Sequence, residues 1–136
     1  MEIAKKSDVK AIIHCGDWDN ILSVEAVLSF EIPLYTVMGN ADVEEGIEDF
    51  LRLNSKGFDP DFLKIEIEGR KIGIIHKVKI DDSRFEGLSI VFSGHYHVAE
   101  EKMVNFTKFV RPGATLNGIN FVIYETTNNH VEFVKE

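Results

Sequence analysis

Ile90-Val91-Phe92-Ser93-Gly94-His95-Tyr96-His97 is a short apolar run closed by a serine, a glycine and two imidazoles. Its length and its β-branched and aromatic composition are those of a buried strand, and the glycine marks the turn that ends it. Four further segments repeat the pattern: Ala11-Ile12-Ile13-His14-Cys15-Gly16-Asp17, Leu34-Tyr35-Thr36-Val37-Met38-Gly39-Asn40, Ile72-Gly73-Ile74-Ile75-His76, and Phe109-Val110-Arg111-Pro112-Gly113. The last of them ends in a turn without a candidate ligand. Strands covered on both faces read as continuous apolar runs, as parallel sheets do. In open α/β sheets functional groups collect just beyond the carboxyl ends of the strands, which is where Asp17, Asn40, His76, His95 and His97 fall.

The intervening sequence supplies helices and hairpins. Residues 20–30 carry Ile21, Leu22, Val24, Ala26, Val27, Leu28 and Phe30, apolar nearly all round, which predicts a well-covered helix. Residues 43–54 place Val43, Ile47, Phe50 and Leu51 on one helical face. Asp42 with Glu45 three positions later predicts a capping box at its start. Gly46 inside that helix costs about 1 kcal/mol against alanine. Gly69-Arg70 is expected to turn a hairpin between residues 63–68 and 71–75, and 127–129 another between 120–126 and 131–135. The order β, α, β, α and then mostly β implies two sheets packed face to face with helices outside.

The chain of 136 residues has 15 Lys and Arg against 23 Asp and Glu, a net charge of -8. Its length suits one domain over residues 1–136. The acidic balance argues against general nucleic-acid binding and against an anionic membrane surface, because both are held by clustered cations, yet it leaves room for a bound metal ion. A single cysteine, Cys15, excludes an intrachain disulfide and fits a reducing interior. With no apolar run near 18 residues and no signal-peptide core, the expected location is the cytoplasm.

Taken singly, most candidates have plain structural explanations. Asp17 can cap the helix that follows it, His14 reads as a satisfied core histidine, Asn40 as a turn residue, Asp42 as a helix cap and His130 as an exposed hairpin residue. His76, ending an apolar strand, reads equally as core or as site. His95 and His97 differ in kind: in an extended segment the i, i+2 spacing points both rings to one face, within reach of one metal or of two adjacent ones. Carboxylate, amide oxygen and imidazole together form a mixed N/O set suited to Zn, Mn, Fe or Ni, with no thiolate to select a soft ion.

Gly16-Asp17, Gly39-Asn40-Ala41-Asp42, His76, Gly94-His95-Tyr96-His97 and Arg111-Pro112-Gly113-Ala114 resemble, in order and rough spacing, the motifs of the calcineurin-like metallophosphoesterase superfamily. The nearest branch is that of the small microbial phosphodiesterases, which also contains the retromer subunit of this fold. The resemblance implies a four-layer α/β/β/α sandwich of two mostly mixed sheets, with two metals at the strand ends. It implies that Asp17 is the bridging ligand, that Asn40, His76 and His95 complete one metal site, and that His97 serves the second. The implied reaction is hydrolysis of a phosphate ester by metal-activated water, with the roles of catalytic residues falling to Asp17, Asn40 and His95.

The departures from the family pattern are as informative. The Asp-x-His strand that opens the family, and supplies two ligands of the second metal, has no counterpart: the chain starts in what reads as the polar end of a first crossover helix, residues 1–8. His76-Lys77-Val78 stands where the family has His-Gly-His, Ala41 where larger members place a histidine, and Arg111-Pro112-Gly113-Ala114 where it has Asn-Pro-Gly-Ser. One metal site is therefore expected complete and the other half dismantled. The expected function is a metal-dependent phosphodiesterase or phosphatase, manganese among the candidate ions, with impaired activity. The alternative is a catalytically inactive metal-binding scaffold or interaction module. Loss of a central strand leaves open edges, so a homo-oligomer is expected.

Overall fold

Five apolar runs become the strands that organise the molecule in a computed structural model, which describes residues 9–113 and 120–135. The expected polar helix end at residues 1–8, and Ala114 of the fifth motif, lie outside the described residues. Strands β1 (Ile12–His14), β2 (Leu34–Val37) and β3 (Gly57–Asp59) form a parallel sheet in that order. Strands β4 (Phe62–Ile67), β5 (Arg70–Ile75), β6 (Ile90–Ser93), β7 (Glu100–Val104) and β8 (Thr107–Arg111) form a second sheet, ordered β4-β5-β6-β8-β7. Its centre, β5-β6-β8, is parallel and its edges are antiparallel. Strands β9 (Asn120–Glu125) and β10 (His130–Lys135) make an antiparallel ribbon of their own.

Alternation along the strands sorts the side chains into layers. Ile72, Ile74, Ile90, Phe92 and Val110 leave one face of the five-stranded sheet and meet Val37 and Ile13 of the parallel sheet and Val122, Tyr124 and Val131 of the ribbon. The parallel sheet and the ribbon thus cover that face together. Helix α1 (Ile21–Leu28) and helix α2 (Ile47–Asn54) cover the outer side of the parallel sheet, packing Val24, Ile47 and Leu51 around Leu34 and Trp18. On the far side of the five-stranded sheet Ile75, Val91 and Phe109 are covered by Phe85 and Leu88. The expected fourth helical layer is here a single 3-10 turn, Ser83–Phe85, with its flanking loop. Asp82 caps that turn by accepting from Arg84 N–H at 2.9 Å, and Phe85 with Leu88 supplies the apolar cover.

Several local expectations are corrected. Helix α1 is shorter than 20–30 and one-sided: Val24 is buried, whereas Leu22 is 73% exposed. Its cap is Asn20, whose side chain accepts from Ser23 N–H, and not Asp17. Helix α2 starts at Ile47 and not at 43; Gly46 is its N-cap at φ 85°, a conformation glycine takes without strain, and Val43 is exposed. No capping box forms, because the Asp42 carboxylate is committed elsewhere. The first hairpin turns at Glu68 and Gly69, both at positive φ as a two-residue type I′ loop requires, one residue earlier than expected.

The terminal ribbon is tied to the end of the sandwich where β5 and β6 begin. Arg70 Nε donates to the carbonyl of Thr126 at 2.6 Å, Lys108 Nζ to that of Asn129, and Asn129 Nδ2 to that of Ser89 at 3.3 Å. The opposite end, where β1, β2, β5 and β6 all finish, is left for the candidate ligands.

Candidate metal centre

The centre lies on the seam between the two main sheets. β1 and β2 of one sheet and β5 and β6 of the other finish there, so Asp17, the Gly39 turn, His76 and Gly94 approach from four strand ends. Gly94 N–H donates to His76 O at 2.8 Å, continuing the β5-β6 ladder past the last strand residues. His76 Nδ1 lies 2.8 Å from the carbonyl oxygen of Cys15 and crosses from one sheet to the other. A carbonyl can only accept, so Nδ1 carries a proton, and in the neutral ring the lone pair is on Nε2.

That lone pair faces two other donors. His76 Nε2 is 3.5 Å from Asp17 Oδ2 and 3.2 Å from His95 Nδ1, and the two imidazole planes meet nearly at right angles. Two ligands held about 2.0–2.2 Å from one ion are about 3–3.5 Å apart, so these pairs fit a shared divalent cation. Among the described residues, no three His, Cys, Asp or Glu side chains form a ready cation cage; the three are adjacent in pairs, with His76 in the middle. The mixed carboxylate and imidazole set suits Zn, Mn, Fe or Ni.

The backbone around Asp17 is unusual. Gly16, Asp17 and Asp19 all have positive φ (96°, 66° and 71°), so the amides of residues 17–19 curl around one point. The Asp42 carboxylate occupies it, accepting from Asp17, Trp18 and Asp19 N–H at 2.9, 2.5 and 3.0 Å and from Gly39 N–H at 2.8 Å. Assignment of Asp42 to a helix cap is therefore overturned, since four backbone donors outcompete the one or two that a cap would satisfy. In return Ala41 N–H donates to Asp17 Oδ1 at 2.9 Å. Gly39 is required by close approach: a Cβ there would lie 2.3 Å from Asp17 Oδ1 and 2.8 Å from His76 Cε1.

His14 and Cys15 support the centre from below. The His14 ring stacks on Trp18 with centroids 3.6 Å apart, and its Nδ1 accepts from Gly16 N–H. Burial lowers its pKa from 6.5 to about 4, against the pull of the Asp17 carboxylate. The reading of His14 as a satisfied structural histidine agrees with these contacts. Trp18 is itself buried and donates its indole N–H to Thr36 Oγ1, which in turn donates to His14 O. Burial pushes the Cys15 thiol up to about 12.

Of the five sequence candidates, the fold thus joins Asp17, His76 and His95 by direct contacts. Asn40 and His97 are exposed on the flanking turns. The expectation that His95 and His97 share one face of an extended segment does not hold: β6 ends at Ser93, His95 takes φ 68°, and Tyr96 N–H donates back to Gly94 O. Sequence reasoning missed two supporting residues. Asp42 was legible only as a cap, and Arg111 only as part of a turn. Arg111 braces the histidine loop by donating to Val98 O at 2.6 Å and lying over the Tyr96 ring. A cavity of about 250 Å3, lined in part by Val78, Ser93, Tyr96 and Arg111, borders this loop, but none of the three donors lines it.

Comparison with known proteins identifies the family of this fold. The chain is 25% identical over 119 residues to a phosphodiesterase of Methanocaldococcus jannaschii, covering 83% of this chain and 72% of the relative. Among solved structures, an archaeal phosphodiesterase superposes with a TM-score of 0.83 at 23% identity, covering 99% of this chain and 88% of that one. YfcE, a phosphoesterase from E. coli, gives 0.68 at 13% identity over 98% and 87% of the two chains. Vacuolar Protein Sorting 29 from Cryptosporidium parvum gives 0.65 at 18% identity over 99% and 84%. The pattern that defines the calcineurin-like phosphoesterase superfamily domain matches residues 1–129, and the chain therefore belongs to that superfamily.

Proposed function

We propose that the chain is a divalent-metal-dependent phosphoesterase acting on phosphodiesters or phosphomonoesters. The observation that carries this reading is the convergence of Asp17 Oδ2 and His95 Nδ1 on Nε2 of His76. In this reading Asp17, His76 and His95 hold the ion, Asn40 completes its ligands, and His97 serves a second, weaker site. An ion bound there supplies a water of lowered pKa and neutralises phosphoryl oxygens. The chain's own part is to fix those donors: Ala41 N–H holds one oxygen of Asp17, and Cys15 O holds the His76 tautomer.

The test is hydrolysis of bis(p-nitrophenyl) phosphate with added Mn2+. Turnover that Asp17→Asn and His95→Ala each abolish supports the enzyme. A second reading, a metal-binding scaffold without catalysis, is favoured by the left-handed turn at His95, which takes exposed His97 out of the extended segment that ends at Ser93. Bound Mn2+ without turnover would establish it instead.

The proposal extends to assembly and location. Among the described residues β1 pairs only with β2, and the β9-β10 ribbon shares the core with it without a ladder between them. Such an open edge favours pairing across a homo-oligomer; sedimentation as a monomer would overturn this. No described helix is long and apolar enough to cross a membrane, and a single cysteine with no partner for an intrachain disulfide suits a cytoplasmic site of action.

A further inference from the structure

We propose that Asp42 is the positioning residue of the centre, holding the Asp17 carboxylate in place through the backbone that carries it. The inference rests on the metal-centre reading and deepens it. Asp42 is 5% exposed and five residues before helix α2, so neither solvation nor a capping role accounts for its charge. A buried carboxylate is tolerated only when hydrogen-bonded. Here each oxygen takes two backbone donors: Oδ2 those of Asp17 and Gly39, Oδ1 those of Trp18 and Asp19.

The arrangement has a specific consequence for Asp17. Successive amides curled by positive φ make an anion-binding concavity, and here the anion is an internal side chain. Without it, the left-handed conformations of Asp17 and Asp19 lose the interaction that offsets their strain. The turn at residues 39–42 therefore grips Asp17 twice, through Asp42 on its backbone and through Ala41 N–H on its side chain. Asparagine cannot replace Asp42, because its NH2 would face two N–H donors whichever way the amide is turned. Only a carboxylate of this length serves both pairs.

The experiment compares wild type, Asp42→Asn and Asp42→Ala as full chains. Mn2+ affinity is read by titration calorimetry, and loop packing by the emission of Trp18, the single tryptophan. With the strands intact by circular dichroism, Asp42→Asn should bind Mn2+ about 10- to 100-fold more weakly, as for other residues that orient ligands, and should shift Trp18 emission to the red. Formate should restore part of the affinity of Asp42→Ala, where the concavity is open, and none of that of Asp42→Asn. A residue that merely stabilises the fold would not give formate-dependent affinity.

Folded Asp42→Asn with Mn2+ affinity within twofold of wild type overturns the role of Asp42 alone. Wild type that binds no Mn2+ overturns the metal-centre reading as well. If neither variant folds, hydrogen exchange in wild type decides. Amides 17–19 and 39 should be protected like those of the strands, and exchange at open-loop rates would overturn the clamp.

Discussion

The Nδ1 atom of His76 lies 2.8 Å from the carbonyl oxygen of Cys15, so the end of β1 sets the tautomer of an imidazole carried by β5. The two sheets are thereby registered at the point where the candidate ligands meet. Nitrogen NMR should show a proton on Nδ1 of His76. His76→Ala removes the middle member of the three donors, and turnover should fall by about two orders of magnitude or more, with Mn2+ affinity falling in parallel. Retained metal affinity would show that the ion sits elsewhere.

Gly39→Ala tests the closeness of the same seam from the other sheet. Its Cβ would lie 2.3 Å from Asp17 Oδ1, 2.5 Å from Asp17 N and 2.8 Å from His76 Cε1. All three atoms belong to the candidate ligands Asp17 and His76, so the turn must move away from them. Overpacking of this kind costs about 1–3 kcal/mol, and here it should also weaken Mn2+ binding. Gly46→Ala is the control: nothing lies within 4 Å of its Cβ, so it should cost only about 1 kcal/mol for a left-handed alanine and leave metal binding untouched. Equal metal affinity in the two variants would contradict the geometry.

His14 gives the molecule a sensitivity to acid. Its pKa falls from 6.5 to about 4, chiefly through burial. A base whose folded pKa is depressed contributes stability that is fully present above 6.5 and is lost as pH falls toward 4. By linkage that amounts to at most about 2–3 kcal/mol at pH 4.5. His14→Phe keeps an aromatic ring against Trp18 but cannot titrate, and it loses the bond from Gly16 N–H, worth about 1 kcal/mol. Urea unfolding should find the variant less stable than wild type at pH 7 and more stable than wild type at pH 4.5. A constant gap across that range would refute the assignment.

The parts of this fold that were legible in sequence are those fixed by burial. Ile72 to Ile75 and Ile90 to Ser93 are central parallel strands, and continuous apolar runs announce them. The convergence of Asp17, His76 and His95 follows from the same rule, since parallel strands end together. What was not legible depends on competition for backbone donors. Asp42 with Glu45 has the form of a capping box, but nothing in the local sequence says that amides 17–19 will arrive first. The geometry of His95 and His97 likewise turned on a positive φ at His95, which a histidine does not announce. β7 was hidden for a third reason: as a charged edge strand with exposed Glu101 and Lys102, it lacks the apolar signature that burial writes.

The β7-β8 hairpin also carries the clearest opportunity to stabilise the chain without touching the centre. Val104 pairs with Thr107, so the loop is Asn105-Phe106, with φ of 49° and 70°. Both residues must be left-handed in such a type I′ turn, which asparagine accepts and phenylalanine resists. Phe106 is 93% exposed, so burial returns nothing for that strain. Phe106→Gly creates the Asn-Gly turn that this geometry favours. The released strain exceeds the added chain entropy of glycine, and the net gain should be about 1 kcal/mol. For a chain of this size that is a rise of roughly 3–5 °C in Tm. Calorimetry on the purified variant checks it, with Mn2+-dependent turnover expected to stay at the wild-type level because the substitution is at the strand ends opposite the centre. A lower Tm would mean that Phe106 is packed in solution, and would overturn this account of the turn.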